Sequence, residues 1–154
     1  MILISAMSRN RVIGSGDGMP WNVPAEYQHF LDSIRDQTIV MGRRSFEIFG
    51  PDLTSAHNIV VTRSGVEFPS AVVVDNLDKA LELARSKGTD VFIGGGGTIY
   101  AQTIDKASRM YLSIIPGEFT GDTRFPEIRK SDWDIVRRED RGTYEFIEYR
   151  RRSR

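Results

Sequence analysis

Apolar residues in this chain fall into short blocks of two kinds that alternate along its length. ILISAM near the start, TIVMG from Thr38, NIVVT from Asn58, AVVVD from Ala71, DVFIG from Asp90 and RMYLSII from Arg109 are continuous apolar runs. Runs of that length without polar alternation read as strands buried on both faces. Between them lie segments with helical spacing. PAEYQHFLDSIRD carries Tyr27, Phe30, Leu31 and Ile34 at i, i+3, i+4 and i+7, with Pro24 at its start. RRSFEIFG reads as a short helix ended by Gly50. NLDKALELARSKG places Leu77, Ala80, Leu81 and Ala84 on one stripe, with Asn76 as cap and Gly88 as stop. GGGTIYAQTID reads as a helix opened by glycines, and DWDIVRRED with TYEFIEYRRR as a closing antiparallel hairpin around Arg141 and Gly142. Strands alternating with helices predict a mostly parallel α/β sheet covered on both faces, with antiparallel strands at its edge. Ligands of such sheets bind beyond the carboxyl ends of the strands.

Composition narrows the classes of function. The 154 residues suit one domain, 1–154, without repeats, and 40% apolar with 27% charged residues is an ordinary globular balance. Lys plus Arg and Asp plus Glu are 21 each, so nothing favours a nucleic-acid partner, and the terminal RRRSR reads as a solvated end. The absence of cysteine excludes disulfides and thiolate chemistry, and two histidines, His29 and His57, make a metal site improbable. No apolar run is long enough to span a bilayer, and in MILISAMSRNR the charges follow the apolar stretch, the reverse of a signal peptide. A cytoplasmic monomer acting on a small molecule is expected.

Three stretches carry candidate chemistry. In FIGGGGTIY, glycines between a strand and a helix let backbone amides approach a phosphate, with the field of the helix behind them. The run matches neither of the common dinucleotide and P-loop signatures, so a tight strand–helix corner is the plain alternative. In MGRRSF, Arg43, Arg44 and Ser45 follow a strand directly, and Thr62 with Arg63 repeats the arrangement. Forked guanidiniums suit phosphate. Three such signals at three strand ends point to a pyrophosphate plus a separate phosphate dianion, hence NADPH rather than NADH. The third stretch, GMPWNVPAEYQHF, puts a carboxylate, Glu26, beside Trp21, Tyr27 and Phe30. A first-turn glutamate commonly faces water and complements the helix dipole; here it either does that or awaits a cationic or amidine-like ligand.

Taken together, these segments resemble dihydrofolate reductase. RVIGSGDGMPWNVPAE is similar to that family's active-site loop and acid-bearing helix, and IVMGRRSFEIFG, NIVVTRS, VFIGGGGTIY and GDTRFP are similar to its later signatures in the same order. The resemblance implies an α/β fold with a central eight-stranded mixed sheet and about four helices on its two faces. It also implies an NADPH-dependent oxidoreductase of one-carbon metabolism that reduces 7,8-dihydrofolate to 5,6,7,8-tetrahydrofolate.

Site residues follow from the same resemblance. Glu26 falls at the family's acid position, matched to the N3–H and 2-amino donors of a pterin, with Ser113 bonding the carboxylate and Trp21 near the water that protonates N5. Met19 and its loop would close over the ring. Ile4, Ser5, Tyr27, Phe30, Phe49, Leu53 and Gly94 would wall the substrate pocket. Ala6, Ile13 and Gly14 would meet the nicotinamide end of the cofactor, with Tyr100 close by. Gly42, Arg43, Arg44, Ser45, Val61, Thr62 and Arg63, and the turn Gly95, Gly96, Gly97, Thr98 and Ile99, would hold its phosphates. A cis peptide is implied at Gly95–Gly96. Two residues depart from the family's pattern. Ala56 stands where an arginine ordinarily grips the carboxylate of the substrate's glutamate tail, and Gly94 stands where a branched apolar residue packs. Ala56 keeps open a related reductase of a pteridine or pyrimidine without that tail, and a nucleotide-binding module without catalysis is the reading from another class.

Overall fold

A computed structural model of the protein describes residues 1–14 and 18–153, so Ser15, Gly16 and Asp17 of the RVIGSGDGMPWNVPAE loop and Arg154 lie outside the described residues. The chain opens with strands β1 (Ile2–Ser8) and β2 (Val12–Gly14), then helix α1 (Pro24–Ile34), β3 (Thr38–Gly42) and α2 (Arg43–Phe49). A 3-10 turn (Gly50–Asp52) leads to β4 (His57–Val61) and β5 (Val72–Val74). Helix α3 (Leu77–Arg85), β6 (Val91–Ile93), α4 (Gly97–Thr103) and β7 (Arg109–Ile115) follow. The chain closes with β8 (Thr123–Arg124), β9 (Trp133–Asp140) and β10 (Glu145–Arg151).

Eight strands form one sheet in the order β5-β4-β3-β6-β1-β7-β10-β9. The first six are parallel, and β10 runs antiparallel to both β7 and β9. Continuous apolar strands suit this because both faces are covered. Ala80, Leu81 and Ala84 of α3 and Ile99 and Tyr100 of α4 pack with Leu3, Val40, Ile93 and Leu112 on one face. Ile34 of α1 and Phe46 of α2 pack with Ile4, Ile39, Met41 and Phe92 on the other. The eight-stranded mixed sheet and four helices expected from the resemblance are therefore present.

Several local expectations need correction. Helix α1 ends at Ile34, because Arg35 turns extended (ψ 128°). Its Tyr27, Phe30 and Leu31 are only half-buried, Tyr27 and Phe30 because they line a cavity, while Ile34 of the same stripe packs into the core. Gly50 ends α2 as its C-cap, but in a helical conformation that leads straight into the 3-10 turn, and a Cβ there would lie 3.1 Å from the Phe46 ring. Strands β2 and β8 pair into a small separate sheet, too short to show as periodicity. The terminal arginines are not all solvated. The Arg151 guanidinium lies 4.4 Å from the Trp133 ring centroid and donates to the Ala107 carbonyl at 2.7 Å, whereas Arg150 and Arg152 are exposed as expected, Arg152 in a surface pair with Asp134 at 2.8 Å. Among the described residues no helix is long and apolar enough to cross a membrane.

Asn76 caps α3 as expected, its side chain accepting from the Lys79 amide at 2.9 Å. Replacing it by alanine leaves that amide without its cap, so Asn76→Ala is expected to lower stability by about 1 kcal/mol in a denaturant titration.

Candidate active site

Glu26 stands in the first turn of α1, which Pro24 opens. It is only 6% exposed, an inversion of the usual helix pattern, since its apolar neighbours Tyr27 and Phe30 are less buried than the carboxylate. Burial pushes its pKa up from an ordinary value near 4.5 to about 7, and a hydrogen bond from the Ser113 hydroxyl only partly opposes this. Ser113 comes from β7, opposite Ala6 of β1 and Phe146 of β10 in register. The sheet thus supplies a hydroxyl directly beneath the helix carboxylate.

A cavity of about 420 Å³ opens in front of this pair. Ile4, Ser5 and Ala6 of β1 form its floor, and Tyr27, Phe30 and Phe49 wall one half. The other half is built from glycine and arginine. Gly42 donates its amide to the Gly95 carbonyl at 2.8 Å, which brings the Arg43, Arg44 and Ser45 turn against the Gly95, Gly96, Gly97, Thr98 and Ile99 corner, and all of these line the cavity. The Gly95–Gly96 peptide is cis, as expected, and Gly95 has φ +104°. A Cβ on Gly95 would lie 3.2 Å from Ser45 Oγ and 3.3 Å from the Tyr100 ring, so glycine is required there on both grounds. Arg43 is half-exposed and braced by Glu47 at 3.3 Å. Tyr100 is buried and donates its hydroxyl to the Ile4 carbonyl at 2.6 Å; burial holds its ionisation well above the ordinary tyrosine range.

Trp21 lies in a smaller adjoining cavity together with Met19, Glu26 and Tyr27. Its Nε1 is buried with no acceptor among the described residues, and its ring meets Phe119 edge-on at 5.5 Å. Asn10 fixes Phe119 from behind, donating to its carbonyl at 2.9 Å and accepting from its amide at 3.2 Å.

Not every expected residue reaches the main cavity. Ile13, Gly14 and Met19 do, whereas Leu53 turns into the apolar cluster beneath Phe30 and Phe49. Val61, Thr62 and Arg63 stand off its wall at the end of β4, where Val61 is paired with Gly42 and the Thr62 hydroxyl is engaged by Ser64 at 3.0 Å. Gly94 has a physical reason. A Cβ there would lie 2.8 Å from both Ile39 Cδ1 and Met41 Cε, so these side chains already fill the space that a branched residue would take. Ala56 is exposed, and its amide is held by the Gln37 carbonyl at 2.8 Å. Gly18, Asp122 and Thr123, from the RVIGSGDGMPWNVPAE and GDTRFP stretches, and Ile48 also line the cavity, though none had been assigned to the site individually. Ile48 shares a helix face with Arg44, four residues away, a signal that was available. Asp122 donates its amide to the Gly14 carbonyl at 3.0 Å, a contact between the two short strands.

The family model described as dihydrofolate reductase matches residues 1–151. A dihydrofolate reductase of Bacillus subtilis is 35% identical over 159 residues, covering 97% of this chain and 94% of its own. The type 3 dihydrofolate reductase of Salmonella typhimurium is 35% identical over 158 residues, covering 94% of each. Among solved structures, a dihydrofolate reductase from Enterococcus faecalis in complex with NADP(H) and the compound RAB-propyl superposes with TM-score 0.85 at 26% identity, over 99% of this chain and 96% of the other.

The raised Glu26 pKa has a sign that can be measured. An acid whose pKa is higher folded than unfolded contributes its full stability below the unfolded value and loses it as pH rises through the folded value. The protein without ligand is therefore expected to lose about 3 kcal/mol between pH near 4.5 and pH near 7. Unfolding titrations across that window should show the slope, and Glu26→Gln should flatten it.

Proposed function

Because the chain belongs to the dihydrofolate reductase family, we propose that Glu26 is the group that grips the pterin ring of 7,8-dihydrofolate, with NADPH held beside it by the glycine corner and the Arg43–Ser45 turn. The protein is an NADPH-dependent oxidoreductase that gives 5,6,7,8-tetrahydrofolate. The observation that carries the site assignment is the buried carboxylate of Glu26, 6% exposed and bonded by a neutral hydroxyl. A pterin presents N3–H and a 2-amino group as a flat, forked donor edge. Two carboxylate oxygens accept it in a bidentate, charge-assisted pair, which restores the anion that burial disfavours.

The fit to the cofactor rests on the same kind of observation. Gly95, at φ +104°, Gly96 and Gly97 present bare backbone to the cavity, so amides there can approach a pyrophosphate closely. Arg43, Arg44 and Ser45 offer charge and hydrogen bonds beside it, and Thr62 and Arg63 suit the outlying 2′-phosphate. NADPH, when bound, supplies a hydride to C6 of the substrate's N5=C6 double bond, and N5 takes a proton. The chain's part is to arrange that event. Glu26 orients the ring and stabilises its positive character, the buried Trp21 Nε1 suits a water that protonates N5, and Tyr100 and Ala6 line the floor at the nicotinamide end. Met19 covers the ring and keeps bulk water out. The absence of net charge supports small-molecule substrates without nucleic acid or membrane, and we read the chain as one domain acting as a cytoplasmic monomer.

One observation favours a second reading of the substrate. Ala56 is exposed and carries no charge, so a pteridine without a glutamate tail forfeits nothing there.

NADPH oxidation with dihydrofolate tests the assignment. Turnover is expected, and Glu26→Gln should lower kcat by about 10²- to 10⁴-fold while leaving NADPH affinity unchanged; no turnover by the unmodified protein at high substrate would reject it. Ala56→Arg should lower the KM for dihydrofolate about tenfold, the worth of one charge-assisted contact. An unmoved KM would show that another group already holds the tail.

A further inference from the structure

The α1 side of the cavity carries a contact that catalysis does not require. Tyr27 of α1 donates its hydroxyl to Asp52 Oδ2, in the 3-10 turn after α2, at 2.7 Å. Burial and the adjacent carboxylate hold Tyr27 ionisation above the ordinary range, so the phenol remains a donor throughout the neutral range. The bond therefore joins the two helical segments that flank the substrate half of the cavity.

Aromatic rings close the same opening. Tyr27 stacks with Phe30 at 6.1 Å between centroids and 25° between planes. Phe49 lies 6.1 Å from Tyr27 and 5.9 Å from Phe30. Separations near 6 Å are direct contact. A flat ring sandwiched between two others needs about 7 Å across it, two contact distances of about 3.5 Å, so no aryl group slides between Phe49 and the α1 rings as they stand.

A pterin anchored on Glu26 has its cofactor side bounded by the glycine corner. Its substituent must then leave past Tyr27, Phe30 and Phe49. The charge at that opening is wrong for an anionic tail: Asp52 is exposed and Ala56, four residues on, is neutral.

Resting on the assignment of Glu26 as pterin anchor, we propose that Tyr27 and Asp52 form a latch across the opening between α1 and the α2 turn. The latch opens to admit the aminobenzoyl-glutamate portion of dihydrofolate and stays closed over a dihydropterin that lacks it. Asp52 is thereby a specificity-determining residue, and the enzyme is more tolerant of tail-less reduced pterins than one with an open, basic mouth.

The test measures kcat/KM at saturating NADPH for 7,8-dihydrofolate and for 6-methyl-7,8-dihydropterin. Asp52→Ala should raise the dihydrofolate-to-dihydropterin ratio about three- to tenfold, the worth of one exposed bond to a charged group. Tyr27→Phe, which keeps the ring, should move it the same way, and the double variant should go no further than Asp52→Ala alone, the coupling expected of partners in one bond. A ratio that is unmoved or falls in Asp52→Ala overturns the latch alone. Failure of the unmodified protein to reduce either compound overturns the pterin assignment and the latch with it.

Discussion

A carboxylate taken out of water is the constraint around which this molecule is arranged. Glu26 is buried beside a neutral hydroxyl, and its ionised form is correspondingly disfavoured. Under the proposed assignment, a ligand with two parallel donors completes the hydrogen bonding that the Ser113 hydroxyl leaves unfinished. The rest of the cavity follows from that demand: a floor from β1, aromatic walls from α1 and α2, and a flexible methionine above. An arginine in place of Ser113 would satisfy the carboxylate within the protein and leave nothing for a ligand to complete.

The sheet explains how such distant residues meet. β1 is central, between β6 and β7, and its residues Ile4 to Ala6 pass under the cavity. β3 and β6 end side by side, and the Gly42–Gly95 hydrogen bond zips their loops together. Parallel strands all point their carboxyl ends at one rim, so loops far apart in sequence become neighbours there. The acid and its serine come from one end of that rim and the glycine corner from the other.

Much of this was legible in the residues. TIVMG and RMYLSII are strands with the bounds that their apolar runs suggest, and Asn76 caps its helix with the side-chain bond its position implies. Glycine at strand ends beside Arg43 and Arg44 marked the half of the cavity proposed for the cofactor, because few other patterns put bare backbone and guanidiniums together. What stayed hidden depends on long-range packing. A first-turn glutamate has the same local pattern whether it faces water or a cavity, so the burial of Glu26 required knowledge of what lies across from α1. The infilling of Gly94 by Ile39 and Met41 joins neighbouring strands and has no local signature. The pairing of β2 with β8 involves too few residues for any period to emerge. The solvated reading of the terminal arginines failed at Arg151 alone, because Trp133 and two carbonyl groups, distant in sequence, give it a place to dock.

The position of β1 bears on how the chain comes into being on the ribosome. Ile2 pairs with Phe92 on one side and Arg109 on the other, so β1 has neither neighbour until segments far along the chain from it have been made. Until then ILISAM is a bare, greasy segment of a nascent chain, with the sequence character that holdase chaperones bind and that aggregation exploits. Placing β1 at the heart of the sheet makes the fold depend on contacts of long sequence separation.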